Sequence, residues 1–212
     1  MDTDAFWDVV EQCRRAADTL EERLVRLEEE LSRRPLADVV RFQVRLEEVV
    51  DDAYTWELWA AADRIKGGWC SDDGFFYFRL WLVGCGRAAF ERVLGDPDSL
   101  AELPEVRRLA GRPRAEWCDT EEWPDWEELD YVAESAFARL TGGDGAEADE
   151  RDEEEVSDEF LDAVAAEQSR PIAPDAPPRG VRWEVRDEAE AARRLPVLSA
   201  LFPLDSRFTQ DD

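Results

Sequence analysis

The stretch Leu36-Ala-Asp-Val39-Val40-Arg41-Phe42-Gln43-Val44-Arg45-Leu46-Glu47-Glu48-Val49-Val50-Asp51-Asp52-Ala53-Tyr54-Thr55-Trp56, running on to Ile65, decides the fold. Val39, Phe42, Leu46, Val49, Ala53 and Trp56 follow one another at steps of three and four, the spacing of one face of an α-helix. Thirty residues is long for a helix of a globular protein, so a bend near Asp51 and Asp52 is expected. Gly67 and Gly68 supply the stop.

The same period extends outward on both sides. Phe6, Val9, Val10 and Cys13 form one apolar face of a first helix, with Thr3 expected as its N-cap. A second helix opens on the capping box Thr19-Leu-Glu-Glu22 and carries Leu20, Leu24, Leu27 and Leu31. Glu22 and Arg26, Glu29 and Arg33, and Glu30 and Arg34 pair along its outer face. Two leucine heptads are too few for a coiled coil, so this reads as a bundle helix that ends at Pro35. Downstream, Ser71 or Asp72 caps a run from Phe75 to Leu94 that is apolar almost all round, the pattern of a buried central helix. Gly84 and Gly86 are expected to loosen or kink it.

After a short helix and loop over 98–118, a further helix is expected from Pro124, with Trp126, Leu129, Ala133, Phe137 and Leu140 facing inward. Asp144 to Glu159 then holds ten acids and one arginine. With the proline-rich stretch Pro171 to Pro178, it reads as a solvated, partly disordered linker with one helical turn near Phe160. Val181, Trp183 and Val185 alternate with Arg182, Glu184 and Arg186 as a single strand-like run. Asp187 to Glu190 resembles a capping box for a final helix that buries Leu195, Leu198 and Leu201. The expectation is a mainly α protein: a single compact, bundle-like helical domain over 1–142, an acidic and proline-rich insert over 143–179, and a C-terminal segment over 180–205 that packs back on it.

Composition narrows the chemistry. The chain has 212 residues, 44% of them hydrophobic, with nine tryptophans and ten phenylalanines, enough for a real core. Fifty-three acids against 26 bases give a formal charge of −27, so direct binding to nucleic acid is not expected. Histidine is absent, which removes imidazole bases and imidazole metal ligands. The four cysteines form no Cys-x-x-Cys pair, so neither a zinc site nor a redox pair is expected, and Cys13 and Cys85 read as small buried hydrophobes. No apolar run is long enough to span a membrane and no signal-peptide stretch opens the chain, so a cytoplasmic setting is expected. Gly84-Cys-Gly86 is no nucleotide fingerprint, and Asp144 to Arg151 lacks the ligand pattern of a calcium loop. No cofactor or metal is expected.

Between Trp56 and Leu100 the sequence resembles an uncharacterised bacterial family, seen often in actinobacteria and catalogued as domain of unknown function 4240. The residues that carry the likeness are Trp56-Glu-Leu-Trp59-Ala-Ala, then Gly67-Gly-Trp-Cys-Ser71-Asp72-Asp73-Gly74-Phe75-Phe-Tyr77-Phe78-Arg79-Leu-Trp81-Leu82-Val-Gly, and Asp96-Pro97-Asp98-Ser99-Leu100. Phe6-Trp7 and Arg194-Leu195-Pro196 also fit. The resemblance implies one compact domain and brings no activity, substrate or catalytic residue. Some relatives look fused to a domain named for a Trp-Gly-Arg motif, which implies work near nucleic acid; that motif is missing here.

The strongest candidate site is Ser71-Asp72-Asp73 with Arg79, a polar group at a helix N-terminus whose carboxylates would hold a cation or a cationic ligand. The same residues serve structure equally well, as an N-cap, first-turn acids and an internally paired arginine. Trp59 and Trp69, with Trp56, Tyr77 and Trp81, make either a stacking platform or core. Residues 116–134, nine acids interleaved with Trp117, Trp123 and Trp126, would offer a basic partner an acidic, aromatic-rimmed surface. The expected function is therefore a non-catalytic binding or regulatory protein that recognises a basic protein or cationic ligand. The alternatives are an enzyme using Asp72 and Asp73 beside Arg79, and a mimic of nucleic acid.

Overall fold

The computed structural model of the chain describes residues 1–117, 122–142, 153–169 and 176–204. Eleven α-helices are found among the described residues: α1 (Thr3–Ala16), α2 (Leu20–Leu31), α3 (Leu36–Asp52), α4 (Trp56–Lys66), α5 (Asp72–Gly84), α6 (Arg87–Gly95), α7 (Pro104–Leu109), α8 (Val132–Thr141), α9 (Glu153–Glu167), α10 (Glu188–Arg194) and α11 (Pro196–Leu201). Single 3-10 turns occupy Pro97–Glu102, Arg114–Glu116 and Glu127–Tyr131. No strand occurs among the described residues, so the fold is mainly α, as the periodicity predicts. No helix among them is long and apolar enough to cross a membrane. The first part of the acidic stretch, 143–152, and residues 170–175 of the proline-rich segment lie outside the described residues, as does Cys118.

These residues form two compact units: 1–51 with 126–169, and 52–125 with 176–204. In the first, Phe6 and Phe42 are fully buried with ring centroids 5.0 Å apart, tying α1 to α3. Asp2, rather than Thr3, is the N-cap of α1, accepting a hydrogen bond from the Ala5 N–H at 2.8 Å. On α2, Thr19 accepts from the Glu22 N–H as the capping box predicts. Only Leu27 and Leu31 of its leucines are buried, which suits a bundle helix. Glu29 pairs with Arg33 and Glu30 with Arg34 along its outer face. Instead of a helix from Pro124, a 3-10 turn buries Leu129 before α8 begins.

The single turn expected near Phe160 is a fifteen-residue helix, α9. Val156, Phe160 and Val164 recur every fourth residue and are buried, Phe160 against Phe137 at 5.3 Å. A density of acids hides this stripe in a composition count, yet acids at a helix N-terminus favour the helix dipole.

In the second unit, the long helix foreseen over 36–65 is broken outright rather than bent: Thr55 caps α4, accepting from the Leu58 N–H at 3.2 Å. The run from Phe75 to Leu94 divides likewise into α5 and α6, with Gly86 at φ 91° as the turn between them. The strand foreseen at 181–185 is irregular chain. Its pairing is one isolated parallel bridge just upstream, between Thr55 and Arg179, and a lone alternating segment without a ladder of partners gains nothing from being a strand. Pro196 splits the final helix in two, Pro being well placed at the first position of α11.

Asp98 supplies the cap that α11 lacks locally. Buried at 8% exposure, its carboxylate accepts from the Val197 N–H at 3.0 Å and the Leu198 N–H at 2.8 Å, a hundred residues along the chain. Asp98→Ala strands those donors and is expected to cost about 2 kcal/mol of stability, read as a lower urea midpoint. Asp98→Asn, which keeps an acceptor, should lose about half as much.

Candidate functional site

The second unit contains a cavity of about 560 Å³ lined by residues of α4, the turn after it, the start of α5, and residues 182–186. Its walls are Trp56, Trp59, Trp69 and Trp183; its carboxylates are Asp63, Asp72 and Glu184; Arg182 and Arg186 complete the charged set. Trp56, Ala60 and Asp63 fall at i, i+4 and i+7 of α4, so one helix face presents them together.

The aromatic wall is held from behind. Trp59 stacks on Trp56 (5.4 Å, 18°) and on Phe75 of α5 (4.7 Å, 20°), and its indole N–H donates to the Cys70 carbonyl at 3.1 Å. The geometry fixes Trp59 as a rigid platform with its ring spanning core and cavity. Trp69 is the opposite case, 71% exposed at the cavity, a large apolar side chain that folding alone leaves uncovered. The indole nitrogen of Trp183 is buried and has no hydrogen-bond partner among the described residues.

Residues 182–186 are pinned through Arg64, a fully buried cation. Its guanidinium donates to both carboxylate oxygens of Glu188 (2.9 and 2.6 Å), to the Val185 carbonyl (3.2 Å) and to the Ser199 carbonyl (3.3 Å). The bond from Arg64 holds the Glu188 carboxyl below its usual range. Arg114 donates to the carbonyls of Ile65 and Arg64, closing the end of α4. Lys66, the only lysine in the chain, pairs with Asp125 and donates to the Gly74 carbonyl at 3.0 Å.

Electrostatics single out Asp63. Burial pushes its carboxyl from an ordinary 3.8 to about 6, against the lowering effects of the Cys70 N–H, Arg182 and Arg186; Glu184 adds to the rise. The Cys70 thiol is pushed up to about 12, mainly by burial, so it stays protonated at neutral pH and is a poor nucleophile.

The candidate residues from the sequence divide between two places. Trp59, Trp69, Ser71 and Asp72 line the cavity. Ser71 is also the N-cap of α5, accepting from the Gly74 N–H at 3.0 Å, so its hydroxyl is engaged in structure. Asp73 sits exposed in the first turn of α5 and is not among the lining residues. Arg79 is buried elsewhere in the unit: its guanidinium carbon lies 4.6 Å from the Tyr54 ring, 5.0 Å from Phe75 and 5.5 Å from Phe76. Asp72 and Arg79 therefore do not share the cavity. Asp63 and the 182–186 wall escape a reading of the sequence. Asp63 carries a faint signal, lying seven residues after Trp56 on the same face; the distant wall carries none.

A helical domain rich in tryptophan and acids, with a paired arginine network, defines a class rather than a chemistry. Residues 1–139 match the family described as Protein of unknown function (DUF4240), and the chain belongs to that family. The matched residues include the α4 and α5 side of the cavity and stop short of residues 182–186. No curated protein and no solved structure matches the chain.

The shift at Asp63 has a pH signature. Its folded-state value lies above the unfolded one, so the folded protein holds the extra proton between about pH 4 and about pH 6. The stability this carries is present at low pH and lost as the pH rises through about 6. Asp63→Asn, which stays neutral, should gain on the wild type by on the order of 1 kcal/mol between about pH 4 and about pH 7, allowing for solvent around a half-buried group. Urea midpoints at the two pH values read this directly, and an unchanged difference would assign Asp63 an ordinary carboxylate.

Proposed function

We propose that this chain is a non-catalytic binding protein that takes a cationic group of a basic partner into the tryptophan-lined cavity. One observation carries the reading: an exposed indole, Trp69, stands at a cavity whose other walls combine stacked tryptophans with the carboxylates of Asp63, Asp72 and Glu184. Aromatic faces and carboxylates together favour a cation, the rings through their quadrupole and the acids through charge. A net charge of −27 adds a long-range attraction for a basic protein and speeds its approach. The reading extends to a cytoplasmic, bacterial setting, supported by the acidic composition and the free thiols of Cys13, Cys70 and Cys85.

A second reading, acid–base catalysis, is favoured by the raised carboxyl of Asp63, because a group titrating near neutrality in a cleft is suited to proton transfer. It moves the chemistry from Asp73 and Arg79, which lie away from the cavity, to Asp63.

Calorimetric titration of the full chain with a short lysine- and arginine-containing peptide tests both. Saturable binding is expected, weakened about tenfold by Trp69→Ala or Asp63→Asn, the loss of roughly one aromatic or ionic contact in a desolvated site. Binding that ignores both substitutions would remove the cavity from the reading. Chemical alteration of the peptide, seen by mass spectrometry and abolished in Asp63→Asn, would establish the enzyme instead.

A further inference from the structure

One segment of the chain already lies against the cavity's α4 side, and its chemistry is specific. Residues 179–186 read Arg179-Gly180-Val181-Arg182-Trp183-Glu184-Val185-Arg186. The backbone of this segment is docked at Arg179: the Trp56 N–H donates to the Arg179 carbonyl at 2.8 Å, and the Arg179 N–H donates to the Tyr54 carbonyl at 3.0 Å. Gly180 sits at φ +88°, and a Cβ there would lie 2.1 Å from a Glu57 carboxylate oxygen. The carboxylate that forbids the Cβ accepts from the Val181 N–H at 3.2 Å.

Each of the three arginines then meets a different acceptor on the opposite surface. Arg179 donates to the Asp52 carbonyl at 2.6 Å. Arg182 lays its guanidinium carbon 4.9 Å from the centroid of the Trp56 ring, the outermost ring of the stack that continues through Trp59 to Phe75. Arg186 donates through Nε to the Gly68 carbonyl at 3.3 Å. A planar guanidinium stacks on an indole and donates from a secondary nitrogen, neither of which an ammonium does. The surface of residues 52–72 thus receives three arginine side chains from one segment.

We infer that the ligand of this cavity is an arginine-bearing peptide segment of a partner protein, selected over lysine, and that Arg182 is a tethered occupant with which that arginine competes for the Trp56 ring. The inference rests on the cation-receiving reading above and narrows it. The receiving surface lies within the residues that match the family, whereas the docked arginine segment lies outside them. A tethered side chain is held at high effective concentration, so it lowers the apparent affinity for any free arginine that needs the same ring.

The test uses the full chain and three blocked octapeptides that differ at one central residue: arginine, lysine, or citrulline, which keeps the shape and loses the charge. Titrated calorimetrically, the arginine peptide is expected to bind about tenfold tighter than the lysine peptide, with citrulline weakest. Arg182→Ala should tighten the arginine peptide about three- to tenfold by freeing the ring, and Trp56→Leu should weaken it. Arg182→Gln, which keeps a polar side chain and its aliphatic stem while losing the charge, guards against a folding defect, and circular dichroism confirms the fold of each variant. Equal binding of the lysine and arginine peptides, or affinity indifferent to both Arg182 substitutions, overturns the inference while the cation-receiving cavity stands. Absence of binding by every charged peptide, to wild type and variants alike, overturns the cavity reading itself.

Discussion

The second unit is organised around one buried charge. Arg64 has no exposed surface, and a guanidinium in that position is tolerable only if its donors find acceptors. Its two terminal nitrogens find four, on Val185, Ser199 and the two oxygens of Glu188, while its buried Nε has none among the described residues, and the network draws together α4, α10, α11 and the irregular chain before α10. The Glu188 carboxylate is half exposed, so the pair is only partly desolvated and the cost of burial stays modest. Removing the cation would leave the carbonyls unpaired and the segment 182–186 without its anchor. The 182–186 wall of the cavity depends on that anchor, because Arg64 holds the Val185 carbonyl in its middle.

Within that frame, electrostatic design is local rather than global. The chain as a whole carries a large negative charge, yet the cavity mixes three carboxylates with two guanidinium groups, each of the latter already committed to a ring or a carbonyl. On the proposed function, the field that would attract a basic partner and the contacts that would recognise it are therefore separate properties. The first would belong to the surface and weaken with salt, and the second would rest on packed indoles and the half-buried Asp63, which salt screens less.

How much of this was legible follows from the range of the interactions. Helices α1, α2 and α3 are written in local spacing, and most of the striped side chains bury, although Leu20 and Leu24 of α2 do not. The N-cap at Ser71 and the cap at Thr19 are equally local. What failed was non-local or masked. The alternation of Val181, Trp183 and Val185 suggests a strand, but a strand is defined by a partner and this one has only the bridge at Thr55. Helix α9 was hidden by a charge count that outweighed Val156, Phe160 and Val164. Asp63 was passed over because a lone acid on an alanine-rich helix face looks like solvent-facing chemistry, and its neighbours Arg182, Glu184 and Arg186 arrive from more than a hundred residues away. Arg79 was marked as a charge that needs company if buried, and the faces of Tyr54, Phe75 and Phe76 form part of that company.

The split of the second unit across the chain has a consequence for how the protein comes into being. A ribosome delivers residues 52–125 first, and α4 with its tryptophan ladder leaves the exit tunnel well before residues 182–188 are translated. Until then Arg64 has neither Glu188 nor the Val185 carbonyl, and closing that gap spans 124 residues. The nascent chain therefore passes through an interval in which its most hydrophobic helices and an unaccompanied guanidinium are on view together. The cavity can mature only once residues 182–188 are made, and a chain truncated before that point would carry the ladder without its facing wall.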